Sequence, residues 1–182
     1  MEVRKLLLIT GMAGSGKTTL SQIIIDSGIR VITMGDVIRD IAKRQGVEPS
    51  TENLGVIAKK IREESPEAVA VRCIDLLYTM DPGLVVVDGI RSLAEVEAFE
   101  EAFDVILIAV HTSPLSRFKR LTRRGRSDDP ESWEEFRERD RRELDFGIGE
   151  AIACADIMIV NDDGIDSLKK SFEAVMERIR DG

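Results

Sequence analysis

An α/β fold built on a five-stranded parallel sheet, with helices on both faces, is predicted by three features of the chain. Helix-forming stretches alternate with short apolar runs, which is typical of βαβ units. About three of the predicted helices lie between the second and third runs, which is more than a crossover needs, so we expect a helical insertion over residues 35–80. The apolar runs themselves lack a helical period and are typical of buried strands; they are Lys5–Thr10, Arg30–Met34, Leu84–Asp88, Asp104–His111 and Ile157–Val160.

The residues between the first strand and the first helix predict a phosphate-binding loop, or P-loop. They read GMAGSGKT from Gly11 to Thr18 and fit the pattern G-x-x-x-x-G-K-[ST]. Glycines let successive backbone N–H groups point at a phosphate, and the start of the helix adds its positive dipole end. A glycine-rich turn with an incidental lysine is the alternative, but a strand precedes the motif and a predicted helix follows it. We therefore expect a P-loop NTPase fold whose nucleoside triphosphate is held by Gly11, Met12, Ala13, Gly14, Ser15, Gly16, Lys17, Thr18 and Thr19.

A metal site is predicted next to this loop. Asp88 ends the third strand, and the ligands of an open parallel sheet gather beyond the carboxyl ends of its strands. The Thr18 hydroxyl and the Asp88 carboxylate could therefore hold Mg²⁺ with its hydration shell. A turn that merely closes the strand is the alternative interpretation of Asp88-Gly89. Arg91, three residues further on, is expected to point into the same cleft.

Residues 116–142 concentrate arginine in a chain whose formal net charge is −8. Arg120 and Arg124 lie one helical turn apart, just before Gly125, and the arginine fork suits phosphate oxygens. We interpret Arg120, Arg124 and Arg126 as phosphate contacts. For the acidic part of the run, a solvated helix face with Glu–Arg pairs is the simpler interpretation. RNA binding is not favoured, because the few aromatic residues in the run fit helix packing better.

The composition limits the partners and the location of the protein. The negative net charge argues against nonspecific nucleic-acid binding. Cys73 and Cys154 each lie in an apolar segment, so we expect two buried free thiols and a cytoplasmic protein. The first apolar run is too short to span a membrane. His111, the only histidine, is interpreted as a packed or rim residue.

The order of these motifs resembles that of the nucleoside monophosphate kinases, adenylate kinase above all. More closely, the whole chain is similar to an archaeal family of adenylate-kinase-related P-loop proteins. Four segments carry that similarity: TENLG at 51–55, VVVDGIRS at 85–92, GRSDDP at 125–130 and GIGEAIACADIMIVND at 147–162.

The resemblance implies an acceptor side and a donor side. On the acceptor side, Asp36 and Arg39 match a Gly-Asp-x-x-Arg motif whose arginine holds the acceptor's phosphate, and Arg91 matches an arginine that serves the same phosphate. The chain departs from adenylate kinase at Ile90, where that enzyme has a proline.

On the donor side, Arg120 matches a residue that stacks on the adenine of ATP, and Arg124 matches one that contacts the transferring phosphates. Arg126 and Arg137 match arginines of a lid, here residues 120–140, that closes over the reacting groups. This lid is shorter than that of adenylate kinase.

Taken together, these features predict a magnesium-dependent phosphotransferase that moves the γ-phosphoryl group of ATP to a small phosphorylated acceptor, AMP or a similar nucleotide. Two alternatives stay open. One is a kinase of another metabolite such as dephospho-coenzyme A, although we do not find that family's acceptor motif after the third strand. The other is a regulatory protein that hydrolyses ATP slowly without an acceptor. The expected catalytic residues are Lys17, Asp88, Arg124, Arg126 and Arg137.

Overall fold

Five parallel strands form one sheet in the order β2-β3-β1-β4-β5. The computed structural model describes residues 5–80, 83–126 and 129–181, and the predicted five-stranded parallel sheet is confirmed. The strands are β1 Lys5–Thr10, β2 Arg30–Thr33, β3 Val85–Ile90, β4 Asp104–His111 and β5 Ile157–Val160.

Helices connect the strands, and three of them lie between β2 and β3, as predicted. Met34, expected to end the second strand, instead begins a helix. The reason is local: Thr33 accepts a hydrogen bond from the Asp36 N–H, and the Asp36 carboxylate accepts one from the Thr33 N–H, which forms a capping box. The helices described are α1 Lys17–Asp26, α2 Met34–Arg44, α3 Thr51–Glu64, α4 Ala68–Tyr78, α5 Leu93–Glu100, α6 Pro114–Arg124, α7 Trp133–Asp145, α8 Ile148–Ala153 and α9 Ile165–Asp181.

The sheet is buried on both faces, as alternate residues of β1 demonstrate. Leu6 and Leu8 belong to the apolar core shared with the insertion helices α2–α4 and with α5. Leu7 and Ile9 belong to a second core that includes residues of α1 and α9. Successive side chains of a strand point to opposite faces, so an unbroken apolar strand such as β1 needs helices on both sides.

The carboxyl ends of all five strands lie at one edge of the sheet, because every pairing is parallel. The register between β1 and β3 breaks at this edge: Ile9 pairs with Asp88, whereas Thr10 pairs with Ile90. The residue skipped is Gly89, with φ +102°. An irregularity of this kind next to a site re-aims the neighbouring side chain, here Asp88.

A buried ion pair joins the insertion to the rest of the fold. Glu95 on α5 has a fully buried side chain, and its Oε1 accepts hydrogen bonds from Nε and Nη2 of Arg62 on α3 at 3.1 and 2.8 Å. Its Oε2 accepts the backbone N–H of Arg91 at 2.8 Å. One carboxylate therefore fixes both α3 and the chain that follows β3.

Two expectations from composition have different outcomes. Cys73 is a buried free thiol, but Cys154 is exposed, so that prediction is wrong for Cys154; it directly follows the short helix α8. Across the described residues, no helix combines the length and the apolar character needed to cross a membrane.

Replacing Glu95 by alanine should destabilise the protein by about 3–5 kcal/mol, because it leaves the largely buried Arg62 guanidinium without its partner. Equilibrium unfolding in urea measures this difference. Glu97→Ala is the matched control, since Glu97 is exposed on the same helix and should change stability by only about 0.5 kcal/mol. Equal effects of the two substitutions would contradict the role assigned to Glu95.

Candidate functional site

The P-loop runs from the end of β1 into the first turn of α1, with Lys17 as the first helical residue. The Lys17 ammonium donates to the carbonyl oxygens of Gly11 and Met12, the latter at 3.2 Å. Burial lowers the pKa of Lys17 below its ordinary value, and the carboxylates of Asp88 and Glu143 oppose that shift. The lysine thus lies where it can turn toward a phosphate, with two carboxylates nearby.

The back of the loop is held by residues that follow β4 and β5. Asn161, directly after β5, donates from Nδ2 to the Ser15 carbonyl oxygen at 2.8 Å. Arg120 on α6 donates to the Ser15 carbonyl oxygen at 3.3 Å and to the Asn161 carbonyl oxygen at 2.6 Å. A Cβ at Gly16, where φ is +107°, would lie 2.1 Å from Asn161 Nδ2. Glycine is therefore required at this position by conformation and by space together.

A second anchor holds the loop at Ala13. Its N–H donates to Oε2 of Glu143 on α7 at 2.9 Å, and its carbonyl oxygen accepts from Arg117 on α6 at 3.2 Å. Arg117 is buried, pairs with Asp140 on α7 (2.7 Å from Nη1 to Oδ1) and lies 4.9 Å from the centre of the Phe136 ring. These bonds fix α6 and α7 against the P-loop.

Asp88 and Thr18 form the place where a cation could bind. Oδ2 of Asp88 accepts a hydrogen bond from Ser21 at 2.8 Å, whereas its buried Oδ1 has no hydrogen-bond partner among the described residues. Burial raises the pKa of Asp88, and the Lys17 ammonium opposes that rise. Within the described ranges, no group of three or more His, Cys, Asp or Glu side chains could hold a metal by itself. The pair therefore fits Mg²⁺, which usually takes one or two protein ligands plus phosphate oxygens and water.

Two cavities meet at this point. The P-loop cavity, about 510 Å³, is lined by the loop, the first turn of α1 and parts of α6 and α7. The insertion cavity, about 720 Å³, lies between the start of α2, α3, the end of β3 and the end of α7. Both are lined by Lys17, Thr18, Arg91, Arg139 and Glu143. The two spaces are thus neighbours across the P-loop lysine.

The residues predicted for the acceptor side lie at the insertion cavity, with one exception. Arg39 and Arg91 line it, and the positive charge of Arg91 acts on the Asp88 carboxylate at the same cavity. Asp36 does not line it. Its carboxylate caps α2 and pairs with Arg39 (3.2 Å from Nε to Oδ1), so Asp36 orients the arginine.

Of the four arginines predicted for the donor side, three line the P-loop cavity and one does not. Arg120, Arg124 and Arg126 line the P-loop cavity, but the guanidinium edge of Arg120 is occupied by the loop carbonyls described above. Arg137 is exposed and lines neither cavity. Arg139 lies two residues further along α7, about 200° from Arg137 around the helix axis. It lines both cavities. We therefore replace Arg137 by Arg139 in the candidate site.

The lid predicted at 120–140 consists mostly of packed helix. Phe118 on α6 packs against Trp133 and Phe136 on α7, with ring centres 5.3 and 5.6 Å apart. The loop between the helices carries Asp129, which accepts a hydrogen bond from Arg124 Nε at 2.8 Å. That bond lowers the pKa of Asp129. Ser127 and Asp128 of the predicted lid motif lie outside the described residues.

Besides Arg139, several residues of the site were missed by sequence reasoning. Asn161 had a signal, because it is the polar residue directly after the fifth strand, and Asp88 lies near the same end of the third. Arg62, Arg142 and Glu143 had none: each belongs to a charged helix, and its contact or cavity depends on tertiary packing.

Comparison with known proteins places the chain among archaeal relatives. Residues 7–143 match the family model described as "AAA domain". The chain is 47% identical to a UPF0200 protein of Pyrococcus furiosus, with 97% of this chain and 98% of that protein covered. It is 45% identical to a UPF0200 protein of Hyperthermus butylicus, with 97% of this chain and 95% of that protein covered.

Solved structures share the fold at low sequence identity. TT1252 from Thermus thermophilus aligns with a TM-score of 0.70 at 17% identity, covering 97% of this chain and 98% of that one. A shikimate kinase from Aquifex aeolicus aligns with a TM-score of 0.57 at 16% identity, covering 97% of this chain and 99% of that one. A gluconokinase from Sinorhizobium meliloti aligns with a TM-score of 0.60 at 14% identity, covering 98% of this chain and 95% of that one. The fold is that of the P-loop kinases.

Replacing Glu143 by glutamine should strengthen ATP binding roughly fivefold, which corresponds to about 1 kcal/mol. The amide oxygen can still accept the Ala13 N–H, but the negative charge beside Lys17 is removed, and that charge repels a triphosphate. Titration calorimetry measures the affinity.

Asp145→Asn is the matched control, because Asp145 is exposed at the end of the same helix and lines neither cavity. Weaker ATP binding by the Glu143→Gln protein would contradict the interpretation, since it would mean that the charge itself supports the loop.

Proposed function

The chain belongs to the archaeal UPF0200 family, and from that premise we propose that it is a kinase that transfers the γ-phosphoryl group of ATP to a small phosphorylated acceptor. An AMP-like nucleoside monophosphate is the acceptor we favour. We place the reaction in the cytoplasm, where ATP is available and free cysteines persist.

The observation that carries this proposal is the junction of two cavities at the P-loop lysine. A protein that only binds or hydrolyses a nucleotide needs one of them. A transferase must hold a second molecule in line with the outermost phosphate, within a few ångströms of it. The insertion cavity offers that space. Lys17, Thr18 and Arg91 line both this cavity and the P-loop cavity, where the two meet.

On the donor side, the proposal assigns the triphosphate to the P-loop N–H groups and to Lys17. Arg124 and Arg126 line the same cavity and would contact phosphate oxygens, while Arg120 offers the face of its guanidinium to the base. Thr18 and Asp88 would hold Mg²⁺, which neutralises charge on the phosphates when bound. The unpartnered Oδ1 of Asp88 supports that assignment.

On the acceptor side, the charge of the cavity wall supports an anionic molecule. Positive side chains outnumber the two carboxylates, Asp88 and Glu143. An acceptor phosphate is already ionised at neutral pH, so the protein would need to position it and neutralise its charge rather than remove a proton. The positive side chains that line the cavity are Lys17, Arg39, Lys59, Arg62, Arg91, Arg139 and Arg142.

Exclusion of water is the remaining requirement, because an open site would hydrolyse ATP. We propose that Arg126 and Arg139, which already line the P-loop cavity, cover the reacting groups and keep water out once the nucleotide is bound. The helices α6 and α7 beside them are fixed on the P-loop through Arg117 and Glu143.

A coupled assay with ATP, Mg²⁺ and a panel of nucleoside monophosphates tests the proposal. We expect phosphorylation of at least one acceptor and its loss on Lys17→Ala. ATP hydrolysis that no acceptor changes would overturn the proposal in favour of a regulatory NTPase. Phosphorylation of dephospho-coenzyme A alone would keep the kinase and change its acceptor.

Replacing Arg142 by glutamine should raise KM for the acceptor roughly tenfold and leave KM for ATP nearly unchanged, because Arg142 lines only the insertion cavity. Charge-assisted hydrogen bonds to phosphate are of this strength, about 1.5–3 kcal/mol. Steady-state kinetics with each substrate varied in turn measures the two constants.

Arg141→Gln removes a neighbouring exposed arginine that lines neither cavity and should have little effect. An equal rise in both KM values for Arg142→Gln would show that this arginine does not bind the acceptor specifically.

A further inference from the structure

We infer that the insertion cavity holds a flat aromatic ring, with Phe146 as the ring's platform and Gly55 as the residue that leaves room for it. This inference rests on the proposed acceptor side and deepens it, because it assigns residues that select a base-bearing phosphate over a sugar phosphate.

Phe146 is an aromatic residue whose position packing alone does not explain. It lies at the end of α7, one turn beyond Arg142, and 44% of its surface is exposed. Ring pairs among the described residues involve Phe118, Trp133, Phe136, Tyr78 and Phe103, and Phe146 forms none of them. Phe146 instead lines the insertion cavity. An exposed aromatic face in a cavity is the kind of surface on which a base stacks.

Gly55 supplies an independent observation on another wall of the same cavity. It lies in the interior of α3, where glycine is disfavoured relative to alanine. A Cβ at this position would meet no heavy atom within 4 Å, apart from its chain neighbours and the backbone of its own helix. Close packing therefore does not require the glycine. Since Gly55 lines the insertion cavity, the missing side chain enlarges the space available to a ligand.

The distribution of polar and apolar groups indicates the form of the ligand. Lys17, Arg91 and Arg139 line both cavities and so lie at the junction. The insertion cavity alone is lined by apolar residues, among them Ile38, Leu54, Ala58 and Phe146, and by the positive side chains Arg39, Lys59, Arg62 and Arg142. A ligand that matches this wall carries an anionic group for the positive side chains and an apolar, flat group for the apolar residues. A nucleoside monophosphate has that form, and a sugar phosphate leaves the apolar wall without a partner.

Binding by the full-length protein tests the inference without any need for turnover. The probes are the monophosphates of adenosine, guanosine, cytidine and uridine, compared with ribose 5-phosphate, which has the phosphate and sugar but no base. We expect at least one nucleotide to bind the wild-type protein tenfold or more tighter than ribose 5-phosphate, measured by titration calorimetry.

The variants separate stacking from simple apolar contact. Phe146→Leu should weaken binding of that nucleotide about tenfold and leave ribose 5-phosphate unchanged, whereas Phe146→Tyr should retain the nucleotide. Leu144→Ala is the matched control, since Leu144 is a similarly exposed apolar residue of α7 that lines neither cavity.

Gly55→Ala gives a result that a structural role would not produce. The substitution should raise the melting temperature, because alanine favours the helix, and should nevertheless weaken nucleotide binding while sparing ribose 5-phosphate. A gain in both stability and nucleotide affinity would contradict the assignment of Gly55.

The outcomes distinguish this inference from the proposed kinase activity. If no nucleotide binds better than ribose 5-phosphate, or if Phe146→Leu weakens both probes equally, the ring site is wrong whether or not the protein is a kinase. If the binding pattern holds and no monophosphate is phosphorylated, the ring site stands and the kinase proposal fails.

Discussion

The rest of the site depends on the hydrogen bonds that hold the P-loop from its outer side. The loop's outward carbonyl groups are taken up by Asn161, Arg120 and Arg117. A loop held in this way keeps its glycine conformations without a ligand, although the Ala13 N–H would have to leave the Glu143 carboxylate before it could meet a phosphate. Because Asn161 follows β5 and both arginines belong to α6, the parallel sheet and its last crossovers are what bring these donors to a loop more than a hundred residues earlier.

The same anchoring explains how two cavities can share one wall. Arg117 and Glu143 fix α7 to Ala13 of the loop, and α7 in turn brings Arg139 to the junction. On the opposite side, Glu95 fixes α3 through Arg62 and fixes the backbone of Arg91. The arrangement places buried or half-buried carboxylates behind the arginines of the cleft, so the arginines are positioned before any phosphate arrives. Pre-positioned charge of this kind is what phosphoryl transfer requires of a protein.

The sequence predicted the parts of this account that depend on local pattern. The five strands, the P-loop, the acid near the end of β3 and the three-helix insertion all follow from apolar runs and short motifs. On α7 the sequence indicated Arg137, whereas the structure places Arg139 at both cavities. Charged residues occupy most of that helix, with few apolar positions to mark its inner face, and its rotation is set by Phe118, Phe136 and Arg117. Cys154 failed for a similar reason, because an apolar segment does not reveal which of its residues the fold covers.

The central claim is that a triphosphate tail and a second nucleotide occupy adjoining cavities at Lys17. The most direct test is the affinity of compounds in which two nucleosides are joined by a chain of phosphates of increasing length. If the claim is correct, affinity rises to a maximum at the length that spans both cavities and exceeds that of ATP by about a hundredfold or more, since the second contact becomes intramolecular. An affinity equal to that of ATP at every chain length would contradict it.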